Sequence, residues 1–324
     1  MIVPGRRRLE VEHTSEFCYR KAARGSLLTL RLRPREDGHQ RLLDFSLEVS
    51  PIAVPITFAD SFGNVCHLVN MHRQHRRITV RSLSLVEVSD PLDSPGRGEA
   101  PSWEALAEAA DPVRYWEYMN PSRLAHPCAA LESFVAAHGI CRGPDPVASL
   151  RDTASILHKA FIYEPGSTEV HSPIGHVLET GRGVCQDYTH VMLAIARSWG
   201  IPSRYVSGYL HSEGVSGEQS TGSASHAWAE FLLPGMGWVG VDPTNNTFAD
   251  HRHIPVATGR DYADAAPTRG TVLGGGESSL DVRVSVVESN KPGPRAPIRI
   301  ERVALHHLAA TPPAQKTAPG QGDQ

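Results

Sequence analysis

The sequence predicts an α+β fold in which a cysteine-bearing helix packs on an antiparallel sheet, with a β-rich region ahead of it. Three observations lead there. Period-two alternation of apolar and polar residues dominates residues 9–90, helical spacing governs the stretch from Leu124 to Trp199, and alternating runs separated by turn residues return after Arg204. Helices gathered ahead of the second set of strands give an α+β arrangement.

In chain order, Leu28, Leu30 and Leu32 alternate with Thr29 and Arg31, and Phe45, Leu47 and Val49 repeat the pattern. Ile78 and Val80 open another run, continued by Leu83, Leu85 and Val88 with one break in phase. Asp60-Ser-Phe-Gly-Asn64 supplies turn residues between extended segments. No set of chemically active side chains is recognisable here. Packing, or shaping one wall of a substrate groove, is the expected role.

The Pro-, Gly- and Asp-rich segment Asp90 to Gly98 marks a boundary. Residues 1–95 are then an N-terminal β-rich domain and 96–302 a catalytic domain. Residues 303–324 hold too little apolar surface to pack and are expected to form a disordered tail.

Helical spacing starts over Leu124–His138, with Pro127 in the first turn. A second helix carries Val147, Leu150, Ala154, Leu157 and Phe161, with Asp145 as N-cap and Pro146 at the first helical position. Tyr163-Glu-Pro-Gly-Ser167 ends it. After Cys185, the residues Tyr188, Val191, Met192, Ile195 and Trp199 form one apolar stripe, stopped by Gly200 and Pro202. Arg204–Leu210, Ala227–Leu233, Trp238–Val241 and the alternating Leu280, Val282, Val284 and Val286 read as strands.

With 324 residues, 40% hydrophobic and 21% charged, the chain has room for two domains and the make-up of a globular protein. A net charge of −3 without a basic block argues against nucleic acid or an anionic membrane as partner. No apolar run approaches a membrane span, and the basic N-terminus lacks the apolar core of a secretory signal. Five scattered cysteines without CxxC spacing fit a reducing cytoplasm rather than a disulfide framework or a zinc knuckle.

The chemistry gathers around Gly183-Val-Cys-Gln-Asp-Tyr188. At a helix start, unpaired N–H groups and the positive end of the dipole favour a thiolate at Cys185. The backbone N–H there is also a natural oxyanion donor. Gly181 and Gly183 would let a substrate backbone approach. Of 17 histidines, His226 is the best base, because it opens an alternating run that leads through Pro234-Gly-Met-Gly237 to Asp242. If a three-residue loop pairs Leu233 with Gly237, Asp242 falls opposite Trp228 and on the face of His226, a diagonal about 7–8 Å away. A four-residue loop would put it on the other face.

The remaining candidates have lesser roles. His190 is expected in a supporting hydrogen bond, Asp187 as a cap, Gln186 as a possible oxyanion donor, and Trp228 as core or groove wall. Cys18, Cys66, Cys128 and Cys141 read as small buried hydrophobes. His67, His72, His75, His251 and His253 read as surface histidines, because their spacing suits no metal site. Gly274-Gly-Gly276 reads as a turn, not a phosphate loop.

Four ordered segments carry a family resemblance: Gly183-Val-Cys-Gln-Asp-Tyr-Thr-His190, Gly200-Ile-Pro-Ser-Arg-Tyr-Val-Ser-Gly-Tyr209, Ser225-His-Ala-Trp-Ala-Glu230 and Gly237-Trp-Val-Gly-Val-Asp-Pro-Thr-Asn245. They resemble the bacterial transglutaminase-like family, many of whose members are described as cysteine proteases. Tyr163 to Val170, Gly259 to Asp264, Arg31 to Arg35 and Asp60 to Asn64 extend the likeness over most of the chain. The resemblance implies a papain-like core with Cys185 as nucleophile, His226 as general base and Asp242 as orienting acid. Tyr163, Gly183, Asp261 and Asp264 would line or rim the groove. Gln186 stands where eukaryotic transglutaminases carry tryptophan, and no acidic calcium loop is present, so calcium-activated cross-linking is not implied. No cofactor or metal is expected. The expected reaction is hydrolysis of a peptide or amide, with transfer to an amine, or a non-catalytic binding module, as alternatives.

Overall fold

The computed structural model describes residues 6–90, 101–212 and 225–290. Five strands come first: β1 (Arg6–Leu30), β2 (Gln40–Ser50), β3 (Ile56–Ala59), β4 (Val65–Met71) and β5 (His75–Ser89). Next are helices α1 (Trp103–Ala109), α2 (Trp116–Met119), α3 (Ala129–Ala137) and α4 (Pro146–Ala160). Strand β6 (Ile162–Tyr163), α5 (Ile174–Thr180), β7 (Arg182–Gly183) and α6 (Cys185–Ser198) lead to the second sheet. It is built from β8 (Ser203–Leu210), β9 (Ser225–Leu233), β10 (Gly237–Asp242), β11 (Thr247–Phe248) and β12 (His253–Gly259). A turn of helix, α7 (Tyr262–Ala265), precedes β13 (Thr268–Gly274) and β14 (Ser278–Glu288). No described helix is long and apolar enough to cross a membrane.

The long strand β1 is the spine of the first sheet, whose order is β2-β5-β1-β4-β3. One edge of β1 pairs with β5 and then β4; the other pairs with β14 and then β13. The run Leu280 to Val286, counted by sequence with residues 96–302, therefore lies in the first sheet, opposite Phe17 to Val11. Alternation identifies a strand but names no partner, which is why pattern alone could not place it. Gly274, Gly275 and Gly276 form the turn between β13 and β14, with φ of 86°, 82° and 67°. Most of the boundary segment after Asp90, and the expected tail, lie outside the described residues.

The second sheet runs β11-β10-β9-β8-β12, antiparallel throughout. Its one face, with Tyr205, Ala227, Ala229, Phe231, Val239 and Val241, packs on Tyr188, Val191, Met192 and Ile195 of α6. The predicted stripe is real but incomplete. Every residue from Gln186 to Arg197 is buried, as expected of a helix enclosed on all sides. Gly200 ends it at φ 81°.

Helix α4 starts as its sequence requires: Asp145 accepts from Ala148 N at 2.8 Å and Pro146 takes the first helical position. Helix α3 begins later than the Leu124 expected from spacing. Cys128 is its N-cap, and Pro127 precedes it. The buried Leu124 and Ala125 belong to a loop instead, pinned where Asp261 Oδ2 accepts from Leu124 N at 3.0 Å.

The two sheets pack through Leu9, Val11, Leu42, Val86 and Val88 against Tyr209, Ile254 and Val256. Asn64, expected only as a turn residue, clamps them together. Its Nδ2 donates to Thr258 O at 2.7 Å, and its Oδ1 accepts from Thr258 N at 2.8 Å and from Arg35 Nη1 at 2.9 Å.

Candidate active site

Cys185 is the first residue of α6. Val184, the N-cap, is extended and has no side chain to cap with, so Asp187 reaches back: its Oδ2 accepts from Val184 N at 2.8 Å and from Thr168 Oγ1 at 2.6 Å. Burial outweighs those bonds and leaves the Asp187 carboxyl above its usual range. Gly183 leaves room for this packing. A Cβ there would lie 2.8 Å from Val177 Cγ2 and 3.0 Å from Asp187 Cβ. Gly181 is likewise committed, as the left-handed cap of α5 at φ 67°. Tyr163 stands opposite Gly183 in the parallel pairing of β6 with β7, half exposed. Partial burial, then Cys185 and Asp242, push its hydroxyl upward.

His226 and Asp242 meet because of the hairpin register. Gly237 pairs with Leu233 and Val241 with Ala229, a three-residue loop. One step further puts Asp242 opposite Trp228, and Asp242 Oδ2 lies 2.7 Å from His226 Nε2. Asp242 is fully buried. Its Oδ1 accepts from Thr244 N at 3.0 Å and Asn245 N at 3.2 Å, and its Oδ2 also accepts from Asn245 Nδ2 at 2.6 Å. Burial raises the carboxyl, but the bonds from His226 and His253 win and hold it well below the carboxylate range. For His226, burial opposes the charged ring. Hydrogen bonds with Asp242 and Cys185, and the charge of each, overcome it and raise the imidazole to about 10. Since Nε2 belongs to Asp242, Nδ1 is left to face the sulfur. The charged form of the ring is favoured by its partners.

Beneath the pair lies Trp228, buried, stacked on His226 at 6.3 Å and meeting His253 edge-on at 5.1 Å. The indole fits because Gly208 and Gly240 flank it; a Cβ on Gly208 would fall 2.7 Å from the ring and 2.2 Å from Ile254 O.

The other predicted residues have these partners. The Gln186 amide donates to Val170 O at 3.3 Å. His190 is buried, and its Nε2 accepts from Tyr262 N at 3.1 Å, so burial and this bond keep the ring neutral, lowered to about 3. Asp261 caps α7 and binds Leu124 N, while Asp264 binds Arg260 at 2.8 Å. Both are engaged in holding the chain. All five cysteines are free, but only Cys66 is buried; Cys18 and Cys128 are half-buried and Cys141 is exposed.

Sequence reasoning passed over Asn245 and misplaced His253. His67, His75 and His253 are buried, not superficial. His67 stacks on Phe45 and His75 bonds Ser26 Oγ at 2.8 Å. His253 Nε2 lies 3.3 Å from Asp242 Oδ2, although β9 and β8 separate their strands in the sheet. The sheet curls enough to close that gap. Asp250, three residues before His253, was the available signal.

The donor atoms of His226, Asp242 and His253 lie within 4.8 Å of one another, chemistry that a metal could use. The 2.7 Å between His226 Nε2 and Asp242 Oδ2 is shorter than the roughly 3.3 Å separating two ligands of a tetrahedral zinc. It is the spacing of a shared proton.

A buried helix offering a cysteine to a histidine and a carboxylate on a curled antiparallel sheet defines a papain-like architecture. Residues 135–243 match the family model of the transglutaminase-like superfamily, and residues 9–87 that of the bacterial transglutaminase-like N-terminal region. An uncharacterised protein of Mycobacterium tuberculosis is 34% identical over 298 residues, covering 87% of this chain and 93% of its own. The chain belongs to the transglutaminase-like superfamily. A Pseudomonas aeruginosa protein-glutamine gamma-glutamyltransferase is 29% identical over 148 residues, 44% of this chain and 22% of that one. A solved structure titled "Putative Cysteine Protease from Cytophaga hutchinsonii" superposes with a TM-score of 0.69 at 18% identity, covering 89% of this chain and 92% of its own. That likeness establishes the fold: transglutaminase-like, with several helices, a curled sheet and an N-terminal β-rich region.

Proposed function

We propose that the protein is a thiol-dependent acyl-transfer enzyme that hydrolyses a peptide or amide bond, with Cys185, His226 and Asp242 as its triad. One observation carries the proposal: His226 is hydrogen-bonded at 2.7 Å to the buried Asp242, and its imidazole is raised by Asp242 and by the neighbouring Cys185 side chain. The Cys185 sulfur attacks the carbonyl carbon, and the oxygen takes the negative charge beside the N–H groups at the start of α6. His226 gives its Nδ1 proton to the departing amine as the C–N bond breaks, leaving a thioester. Water, losing a proton to the same nitrogen, then attacks the thioester and releases the acid and the restored thiol. Asp242 keeps Nε2 protonated and the ring in line throughout.

The relative named as a gamma-glutamyltransferase supports a second reading of the last step, in which a primary amine replaces water. Both readings share the acyl-enzyme. Incubating the protein with a peptide mixture and analysing it by mass spectrometry should reveal an acyl group on the Cys185 peptide, absent from Cys185→Ser. Added primary amine would appear in the product only if transfer operates. Turnover that survives in Cys185→Ser would overturn the proposal.

A further inference from the structure

We infer that His253 is a positioning residue for this site: a constant Nε2–H donor to Asp242, whose charge, switched at Nδ1 against Asp250, sets how firmly Asp242 holds His226. The inference rests on the acyl-transfer reading above and adds a residue to it.

The geometry around the ring is two-sided. Nε2 faces Asp242 Oδ2 at 3.3 Å. Nδ1 lies 3.1 Å from the backbone N of Asp250 and also 3.1 Å from Asp250 Oδ1. A neutral ring accepts the Asp250 N–H at Nδ1; a protonated ring donates from Nδ1 to the Asp250 carboxylate. Both states leave the Nε2 proton on Asp242, so the ring changes charge without moving. It is fixed against Trp228 at 5.1 Å and, by strand register, opposite Leu210 of β8.

The charged and titratable groups facing it are Asp242 from β10, Asp250 from the turn before β12, and His226 from β9. Arg252 completes the surroundings through Asp250, which it grips at 2.6 and 2.9 Å. Burial opposes a charge on His253, but the bonds to Asp242 and Asp250 outweigh it. A positive His253 makes Asp242 divide its charge between two imidazolium rings. A neutral one leaves that charge to His226 alone, at short range inside a water-poor site. The chain His226, Asp242, His253, Asp250 thus alternates in sign and is tuned from its far end.

The test uses the full chain and iodoacetamide, following the rate of Cys185 alkylation from about pH 4 to 9. Wild-type protein should show one ionisation beyond those of the Cys185–His226 pair. His253→Gln keeps an N–H for Asp242 but cannot titrate, so at every pH it should react as wild type does above that ionisation, with the ionisation itself gone. Asp250→Asn keeps an acceptor but removes the anion, and should move the ionisation to lower pH. His253→Phe keeps a ring and loses the donor, and should react about ten- to hundredfold more slowly, the scale of one charge-assisted hydrogen bond. Folded variants that all follow the wild-type profile would overturn the inference. Should His253→Phe not fold, the profiles of the other two decide. Wild-type Cys185 reacting no faster than a free thiol would instead overturn the acyl-transfer reading beneath it.

Discussion

Replacing Asp242 by asparagine preserves the side chain's shape and removes its charge. Oδ1 can still accept from the Thr244 and Asn245 N–H groups at 3.0 and 3.2 Å. The other oxygen becomes an NH2 facing His226 Nε2 at 2.7 Å, His253 Nε2 at 3.3 Å and Asn245 Nδ2 at 2.6 Å. All three groups donate in the wild type. Accommodation requires His226 to offer a lone pair at Nε2, so the ring loses its Nε2 proton, stays neutral with its one proton on Nδ1, and has no base to turn to the thiol. The same substitution in a serine-protease triad costs about 10⁴-fold. Here Asn245 can turn its amide oxygen toward the new NH2, so a loss of about 10²–10⁴ in Cys185 reactivity is expected. Breaking a buried charge pair costs about 3–5 kcal/mol, an upper bound for this near-isosteric change.

The pH signature follows from the two shifts. Asp242 lies below its unfolded value, so its contribution to stability is present above about pH 4 and fades as pH falls through the folded value. His226 is raised to about 10, so its contribution is complete below about pH 6.5 and is lost as pH rises toward 10. In the variant both dependences should flatten. Nitrogen-15 NMR of the imidazoles would show an imidazolium at His226 in wild type and a neutral, Nδ1-protonated ring in Asp242→Asn. A folded variant that keeps the imidazolium, or alkylates within threefold of wild type, would refute this reasoning.

Three further outcomes are expected. Gly208→Ala should destabilise the fold by about 1–3 kcal/mol, because its Cβ would fall 2.2 Å from Ile254 O and push the indole under His226; an unchanged melting temperature would count against the packing described. Asn64→Ala should lower urea stability by about 1–3 kcal/mol for each Thr258 backbone group it orphans, and an unchanged midpoint would show that the sheets do not depend on the clamp. His190 and His13 are lowered by burial to about 3 and about 4, so the unfolded chain binds protons that the folded one refuses below about pH 6.5. Stability should therefore fall as pH is lowered through that window, and His190→Gln should reduce the slope; an identical slope would mean the ring is charged when folded.

What the sequence disclosed was local. Cys185 at a helix start, the Asp145-Pro146 cap and the Gly200 stop depend on near neighbours, and each is legible from residue type. The Leu233–Gly237 register is local too, since three loop residues decide which face Asp242 occupies. What stayed hidden depends on distant chain segments. His253 appears superficial until the sheet curls and brings β12 to the end of β10. That Gly183 also makes room for Val177 and Asp187 shows only once those side chains are packed against it. The apolar residues at Leu124 and Ala125 mimic the start of a helix, but a carboxylate from Asp261 holds them in a loop. The strand at Leu280 to Val286 shows its period and not its partner, a residue pair more than 250 positions apart in sequence.

The central claim is that His226 keeps the Cys185 sulfur reactive in acid, where an ordinary thiol is almost wholly protonated. Iodoacetamide alkylation at pH 6, mapped by peptide mass spectrometry, tests it directly. Labelling should concentrate on Cys185, run well ahead of the half-buried or exposed Cys18, Cys128 and Cys141, and collapse in His226→Ala. Equal labelling of those cysteines, or an undiminished rate at Cys185 without the imidazole, would contradict the account.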